Sequence, residues 1–196
     1  MEAVTSFVGP AAPSDGAQLL EDADRGDLGY VMNLTRVWAH LPDVKASLMA
    51  LLDDTVAAGD ISFRHRGVLI TACASTLGDS YCSLAWGTRL AKEAGPDIAD
   101  AVLRGDDHLL DAQDRALARW ARAVAHDPNA TTPDDIASLR SAGFTDQQIV
   151  AITVFVALRL AFSTVNDALG TQPDAALRDR ANPRVLEAVT YGRPIA

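Results

Sequence analysis

The chain has 196 residues, 48% of them hydrophobic, so it can bury one substantial core, and its formal net charge is −9. Its 17 basic residues are scattered, whereas binding nucleic acid or an anionic membrane requires clustered Lys and Arg, so we expect neither as a partner. No basic N-terminal region precedes an apolar run with a cleavage site, and no segment approaches the roughly 20 apolar residues that span a bilayer, so we expect a cytoplasmic protein.

Helix start and stop signals recur along the chain, whereas alternating runs of β-branched residues bounded by hairpin turns do not. We therefore predict an all-α protein. Residues 1–26, rich in Pro and Gly at their centre, are interpreted as a flexible N-terminal segment, and residues 27–170 as one helical domain. Residues 171–196 are interpreted as a tail whose short helix, from Pro183 to Tyr191, docks on that domain.

The first half of the domain is predicted to contain an antiparallel helix pair followed by three further helices. Asp27 is interpreted as an N-cap and Pro42 as the first residue of the second helix. Gly78 followed by Asp79 indicates a stop and a new N-cap. The five predicted helices run from about Asp27 to His40, Pro42 to Ala58, Ser62 to Leu77, Ser80 to Ala94, and Asp97 to Arg104.

The second half repeats this pattern. Residues 111–126 are amphipathic, and Thr132 precedes a proline and an acidic first turn. Thr145 and Gln148 form a capping box that opens the longest helix. Because residues 149–170 are apolar nearly all round, we expect this helix to be buried on several sides, within the fold or at a subunit interface.

Four stretches of the sequence are similar, in their order, to the alkylhydroperoxidase D and carboxymuconolactone decarboxylase superfamily. They are Gly29–Leu34 with the Ala-His-Leu-Pro link at 39–42, Gly78–Gly87, Ser141–Ile149 and Asp167–Gly170. The resemblance implies an alkylhydroperoxidase D-like helical bundle. Because members are commonly trimers or hexamers, it also implies a symmetric homo-oligomer.

Peroxidases of this superfamily carry Cys-x-x-Cys-x-x-x-His at a helix start and a Glu one helix earlier. Their second Cys attacks the peroxide, the first resolves the sulfenic acid, and Glu and His relay the proton. On this pattern Cys82 stands at the second Cys, Asp79 at the first, Trp86 at the His, and Gly67 at or near the Glu. The resemblance therefore implies a degenerate site, and at most a single-thiol peroxidase that acts through Cys82.

The residues around Cys82 leave its reactivity open. A position in the first turn of a helix favours a thiolate, but Asp79 three residues earlier opposes it. For Asp79 we favour an ordinary N-cap over a general base. Cys73 is nine residues away, about 13–14 Å in a continuous helix, which is beyond disulfide reach, so we interpret it as a core residue.

Three further candidates concern substrate binding. Trp86 cannot relay protons because its indole only donates, so it fills the pocket or stacks on a flat ligand. Tyr81, next to Cys82, is a second candidate for substrate contact. Arg159 interrupts an apolar helix, and a buried guanidinium needs a partner. We favour a structural ion pair for Arg159 over a substrate anchor.

His65 lies between two arginines near a predicted helix start. A solvated basic cluster is the simpler interpretation. The alternative is that Arg64 binds an acidic substrate while His65 titrates near the former Glu position. The remaining histidines have no i, i+4 partner and two cysteines are too few for a zinc site, so we expect neither a metal nor a cofactor.

Three functions remain in competition. The first is a single-thiol peroxidase reduced by an external thiol. The second is a cofactor-free decarboxylase, lyase or isomerase that acts on a small acidic or lactone-like metabolite, with Asp79, His65 or Arg64 handling protons and charge. The third is a non-catalytic, ligand-binding oligomer. We rank the peroxidase lineage first, with a small peroxide or organic acid as the ligand.

Overall fold

The structure is a computed structural model that describes residues 5–196. Over this range it contains α-helices and two short 3₁₀ turns but no β-strand, which confirms the predicted all-α class. The helices are α1 Asp15–Leu28, α2 Asn33–Trp38, α3 Pro42–Gly59, α4 Phe63–Leu77, α5 Ser80–Ala94, α6 Pro96–Arg104, α7 Ala112–His126, α8 Pro133–Ser141, α9 Asp146–Ala168, α10 Ala175–Arg180 and α11 Pro183–Ala188.

The start of the chain differs from the prediction. Residues 15–26 of the expected flexible segment belong to α1, and no helix begins at Asp27. Ser14 caps α1 by accepting a hydrogen bond from the amide of Ala17, and Gly29 ends it in the left-handed conformation, at φ 81°. Residues 1–4 of the expected segment lie outside the described residues, and the division of the chain at residues 27 and 170 stays a prediction.

Helix α4 is the centre of the fold. Residues 67–74 are buried on every side, and helices α5, α6, α7 and α9 pack around them. Gly67 allows this close packing, since a Cβ there would lie 3.1 Å from a methyl carbon of Leu90. Each large apolar side chain buried in this core, such as Leu69, contributes about 1.5–3 kcal/mol. This core holds α5, which carries Cys82, in a fixed position.

Helix α9 opens with the predicted capping box of Thr145 and Gln148. By length and composition it could cross a membrane, which corrects the expectation that no segment is apolar enough. This is weak evidence for a membrane span, because core helices of soluble proteins pass the same test. In this fold one side of α9 packs against α3, α4 and α7, while its opposite face, which we expected to be buried as well, is exposed.

The last eight residues, 189–196, run back over the start of α5, and we name them the C-terminal strap. The Ser80 hydroxyl donates to the carbonyl of Arg193 (2.7 Å), and the Tyr191 hydroxyl donates to Ser83 Oγ (3.0 Å). Gly192, at φ 75°, lies so close to the Gly78 carbonyl that no side chain fits. The predicted tail helix from Pro183 to Tyr191 therefore ends early, at Ala188, and the strap covers one end of α5 instead.

Candidate functional site

Asp79 is the first residue of the candidate site and lies at the N-terminus of α5. Its Oδ1 accepts a hydrogen bond from the Cys82 amide (2.9 Å), so it caps the helix as predicted. The side chain is fully buried, and its Oδ2 has no hydrogen-bond partner within residues 5–196. The cap uses one carboxylate oxygen, which leaves the other available for chemistry.

Cys82 follows in the first turn of α5 and is 3% exposed. Its Sγ accepts a hydrogen bond from Nη2 of Arg159 (3.4 Å). Burial raises the pKa of the Cys82 thiol far above its ordinary value, the nearby Asp79 carboxyl raises it further, and Arg159 and Ser163 oppose the shift. Burial therefore outweighs the favourable helix terminus, and the resting thiol is protonated at neutral pH.

Arg159 lies on the buried face of α9 and is only 7% exposed. None of the described carboxylates lies within ion-pair distance of it, so the ion pair that we favoured is not present in this part of the chain. Its Nε has no hydrogen-bond partner among residues 5–196. A buried guanidinium without an ion-pair partner among the described residues therefore lies against the Cys82 sulfur.

Aromatic rings enclose this guanidinium. Its central carbon lies 4.7 Å from the ring centre of Phe162 and 5.9 Å from that of Trp86. Trp38 stacks on Phe162 at 5.3 Å. Trp86 is half-buried and also contacts the exposed Phe63 (6.0 Å), so its ring lies between Arg159 and the surface. Trp86 therefore lies beside the guanidinium, and its predicted role, to fill the pocket or to stack on a flat ligand, stays a prediction.

Arg159 belongs to a polar stripe on α9 that the sequence analysis missed. Ser163 and Asn166 follow it at i+4 and i+7, and both are buried. Asn166 Oδ1 accepts a hydrogen bond from the Trp38 indole (2.9 Å). The signal was present in the sequence, since Arg159, Ser163 and Asn166 recur at helical spacing along one side of a largely apolar helix.

The structure does not bring Arg64 and His65 to this site. Arg64 donates to Asp114, a buried carboxylate, through Nε (2.9 Å) and Nη2 (2.6 Å). The His65 ring lies edge-on to Phe144. Although their neighbour Phe63 contacts Trp86, neither residue has a described hydrogen bond or ion pair with Asp79, Cys82 or Arg159. Arg64 therefore acts in an ion pair between α4 and α7.

Tyr81 is engaged by another carboxylate, Asp174. Its hydroxyl donates a hydrogen bond to Asp174 Oδ2, while Asp174 Oδ1 accepts from the amide of Asn33 (2.9 Å). Burial and the Asp174 carboxyl raise the pKa of Tyr81. Tyr81 therefore links α5 to α2 and to the segment before α10.

Both cysteines are free, and Cys73 is sealed within α4 at 1% exposure. Burial raises the pKa of its thiol to about 12, although Arg159 opposes the shift. Cys73 therefore has the surroundings expected of a core residue.

A second carboxyl, Asp167, lies near Asp79 and was also missed by the sequence analysis. Burial, and then the charge of Asp79, raise the pKa of Asp167 to about 7, while Arg193 of the strap opposes this. Arg193 Nη2 donates to the backbone carbonyl of Asp167 (2.7 Å). No local pattern in the sequence connects the strap to α9, so only the fold reveals this contact.

Two surface grooves lie elsewhere, and neither is lined by Cys82 or Asp79. One of about 450 Å³ lies between α7 and α8, and one of about 770 Å³ lies beside α1 and residues 5–14. Within the range that the structure describes, no group of three or more His, Cys, Asp or Glu side chains is placed to hold a metal ion. The candidate site is therefore the enclosed cluster of Asp79, Cys82 and Arg159.

Comparison with known proteins identifies the fold. No protein-family model matches the chain, and no curated protein matches it significantly in sequence. Among solved structures, it is similar to an alkylhydroperoxidase AhpD core protein, described as an uncharacterized peroxidase-related protein, from Ralstonia eutropha JMP134 (TM-score 0.79, 22% identity, 89% of this chain and 95% of that one). It is also similar to an uncharacterized peroxidase-related protein from Silicibacter sp. TM1040 (TM-score 0.78, 21% identity, 89% and 95%). A third similar structure is a cysteine-to-alanine variant of the debrominase Bmp8 in complex with 2,3,4-tribromopyrrole (TM-score 0.71, 17% identity, 96% and 98%). The chain therefore has the alkylhydroperoxidase D-like fold that its sequence predicted.

Proposed function

We propose that this protein is a single-thiol peroxidase that reduces a small hydroperoxide through Cys82. The observation that carries the proposal is the contact between Cys82 Sγ and the buried guanidinium of Arg159, whose Nε has no described hydrogen-bond partner. A thiolate formed at Cys82 would neutralise that cation in a setting of low dielectric, where the attraction is strong. The peroxidase-related proteins of the same fold support this lineage.

Groups within the site can accept and return the proton that the reaction moves. Asp79 Oδ2 has no other described partner and can accept the thiol proton, which removes the like charge that opposes the thiolate. The thiolate attacks one peroxide oxygen, so an S–O bond forms and the O–O bond breaks. The alkoxide that leaves takes the proton from Asp79. The products are an alcohol and Cys82 sulfenic acid.

An external thiol must complete the cycle. One thiol displaces water from the sulfenic acid and forms a mixed disulfide with Cys82, and a second releases the Cys82 thiol and a disulfide. Cys73 is a poor substitute, since it is enclosed by the core and its pKa is about 12. We therefore expect slow turnover, and over-oxidation of Cys82 when thiol is scarce.

The test is hydroperoxide consumption in the presence of an excess of a small dithiol. We expect Cys82→Ser to lose the activity and Cys73→Ser, the matched control, to keep it. Mass spectrometry after peroxide alone should find one added oxygen on the peptide that contains Cys82. Equal background rates in wild type and Cys82→Ser would reject the proposal.

A second candidate is a cofactor-free enzyme that uses Asp79 as the base on a small acidic or lactone-like metabolite. The free, buried Oδ2 of Asp79 favours it, whereas Arg64 is engaged by Asp114 and His65 packs on Phe144. The ligand of the debrominase structure adds a brominated pyrrole to the panel worth testing. Product formation that survives Cys82→Ser but not Asp79→Asn would favour this function over the peroxidase.

We also propose that the protein is a cytoplasmic homo-oligomer, a trimer or hexamer, that assembles through α9. The outward face of α9 carries Val150, Val154, Ala157 and Ala161, small or β-branched apolar residues at heptad spacing, all exposed. Light scattering should find a closed oligomer for wild type and a smaller species for Val154→Glu. If the wild type is a monomer, this assembly is wrong.

If no substrate is found, a ligand-binding oligomer is the function left.

A further inference from the structure

We infer that Arg159 forms an anion-binding subsite beside Cys82, and that the preferred hydroperoxide carries a carboxylate close to its peroxide group. The substrate class rests on the proposed peroxidase function, whereas the binding of an anion does not.

The first support is charge. A buried guanidinium without a counter-charge is costly, and two partly buried arginines of this protein are paired with carboxylates. Arg64 binds Asp114, and Arg122 binds Asp107 (2.7 Å). Arg159 is more deeply buried than either, at 7% exposure, yet its one described hydrogen bond is to sulfur, a weak acceptor. An anionic ligand would supply the missing charge.

The second support is geometry. Nε and Nη2 form one edge of a planar guanidinium, and Arg64 uses that edge to hold the Asp114 carboxylate. In Arg159 the same edge has Nη2 on Cys82 Sγ and Nε free. A carboxylate that binds this edge would place its neighbouring atoms beside the thiol. The subsite thus holds the charged group and the reacting sulfur on one side of the guanidinium.

The third support is the surrounding rings. Phe162 and Trp86 lie near the guanidinium, which orients it and keeps water away. Asp79 is the carboxylate that could compete for Arg159, but its Oδ1 accepts from the Cys82 amide, its Oδ2 has no hydrogen-bond partner, and none of the described ion pairs joins it to Arg159. Trp86 also gives a fluorescence signal at the subsite.

The binding experiment uses Cys82→Ser, which cannot turn over, titrated with benzoate and with benzamide as its neutral counterpart. We expect benzoate to quench tryptophan fluorescence and raise the Tm, with benzamide at least about tenfold weaker, as for a charge-assisted pair. Adding Arg159→Met should weaken benzoate about 10–100-fold, and Arg159→Lys should fall between. The matched control is Arg104→Met, which removes a half-exposed guanidinium paired with Asp100 on the surface of α6 (2.8 Å) and should not change binding.

The kinetic arm compares a carboxylate-bearing hydroperoxide with its methyl ester in the otherwise wild-type protein. We expect kcat/KM to favour the acid about tenfold, and Arg159→Met to abolish the preference. Turnover without benzoate binding, or benzoate binding that survives Arg159→Met, overturns the subsite but leaves the peroxidase. Benzoate binding through Arg159 without any turnover rejects the peroxidase but leaves the subsite.

Discussion

Replacing Arg159 with Met should stabilise the protein while reducing its activity. Because no described carboxylate pairs with the guanidinium, its contacts in the folded state do not fully offset the free energy lost when the charge is removed from water. Met has a similar length and no charge, so it can fill the same space between Phe162 and Trp86. The variant separates a residue kept for binding from one kept for stability.

The expected magnitude follows from the contacts. Burying an unpaired cation costs several kcal/mol, of which the ring contact with Phe162 returns about 0.5–2 kcal/mol and the sulfur contact little. We therefore expect Arg159→Met to raise the free energy of unfolding by about 1–2 kcal/mol. In a chain of 196 residues each kcal/mol shifts the Tm by about 2–4 °C, so the rise should be about 2–8 °C.

Thermal unfolding at fixed protein concentration measures this shift, and Arg64→Met is the control. Arg64 is paired with Asp114, whose side chain is 1% exposed, so its loss leaves a buried carboxylate alone. This should cost about 3 kcal/mol, the lower end for a broken buried pair because Arg64 itself is 35% exposed. If both variants lower the Tm alike, Arg159 has a structural partner and the reasoning fails.

Two further variants test the neighbouring groups. Asp167 has a raised pKa of about 7, so in the folded state it keeps a proton that the unfolded chain loses near about pH 4. The contribution of Asp167 to stability is therefore present at low pH and is lost as the pH rises through 7. The Tm of Asp167→Asn should therefore rise relative to that of wild type when the pH is raised from 5 to 8. A Tm difference that does not change with pH would contradict this. Tyr81→Phe removes the buried hydrogen bond to Asp174, so unfolding experiments should give a loss of about 1–3 kcal/mol, with kcat unchanged. A kcat that falls with little loss of stability would return Tyr81 to the active site.

Local signals made much of the fold predictable. The capping box at Thr145 and the N-cap at Asp79 each act over three residues, so the sequence reveals them directly. The first helix was missed because Pro and Gly around residues 9–16 suggest an irregular segment, while the true cap, Ser14, is one residue among them. Asp27 had the right chemistry for a cap, but it lies in the last turn of α1.

The site was less predictable because its contacts are long-range. Cys82 and Arg159 are 77 residues apart, and neither predicts the other without the packing of α5 on α9. The same holds for Arg64, which pairs with a residue 50 positions away instead of joining the site. Asp79 and Cys82, which are three residues apart, were the part that a local pattern could place.

The two buried thiols differ in what encloses them. Cys73 is in α4, which other helices surround, whereas Cys82 is in the first turn of α5, beneath the C-terminal strap and beside a half-buried ring. Under native conditions an alkylating reagent should reach Cys82 through a local opening, but Cys73 only when the core itself comes apart. A single labelling time course, followed peptide by peptide, would therefore report two opening free energies from one molecule. A bound ligand should slow the alkylation of Cys82 more than that of Cys73.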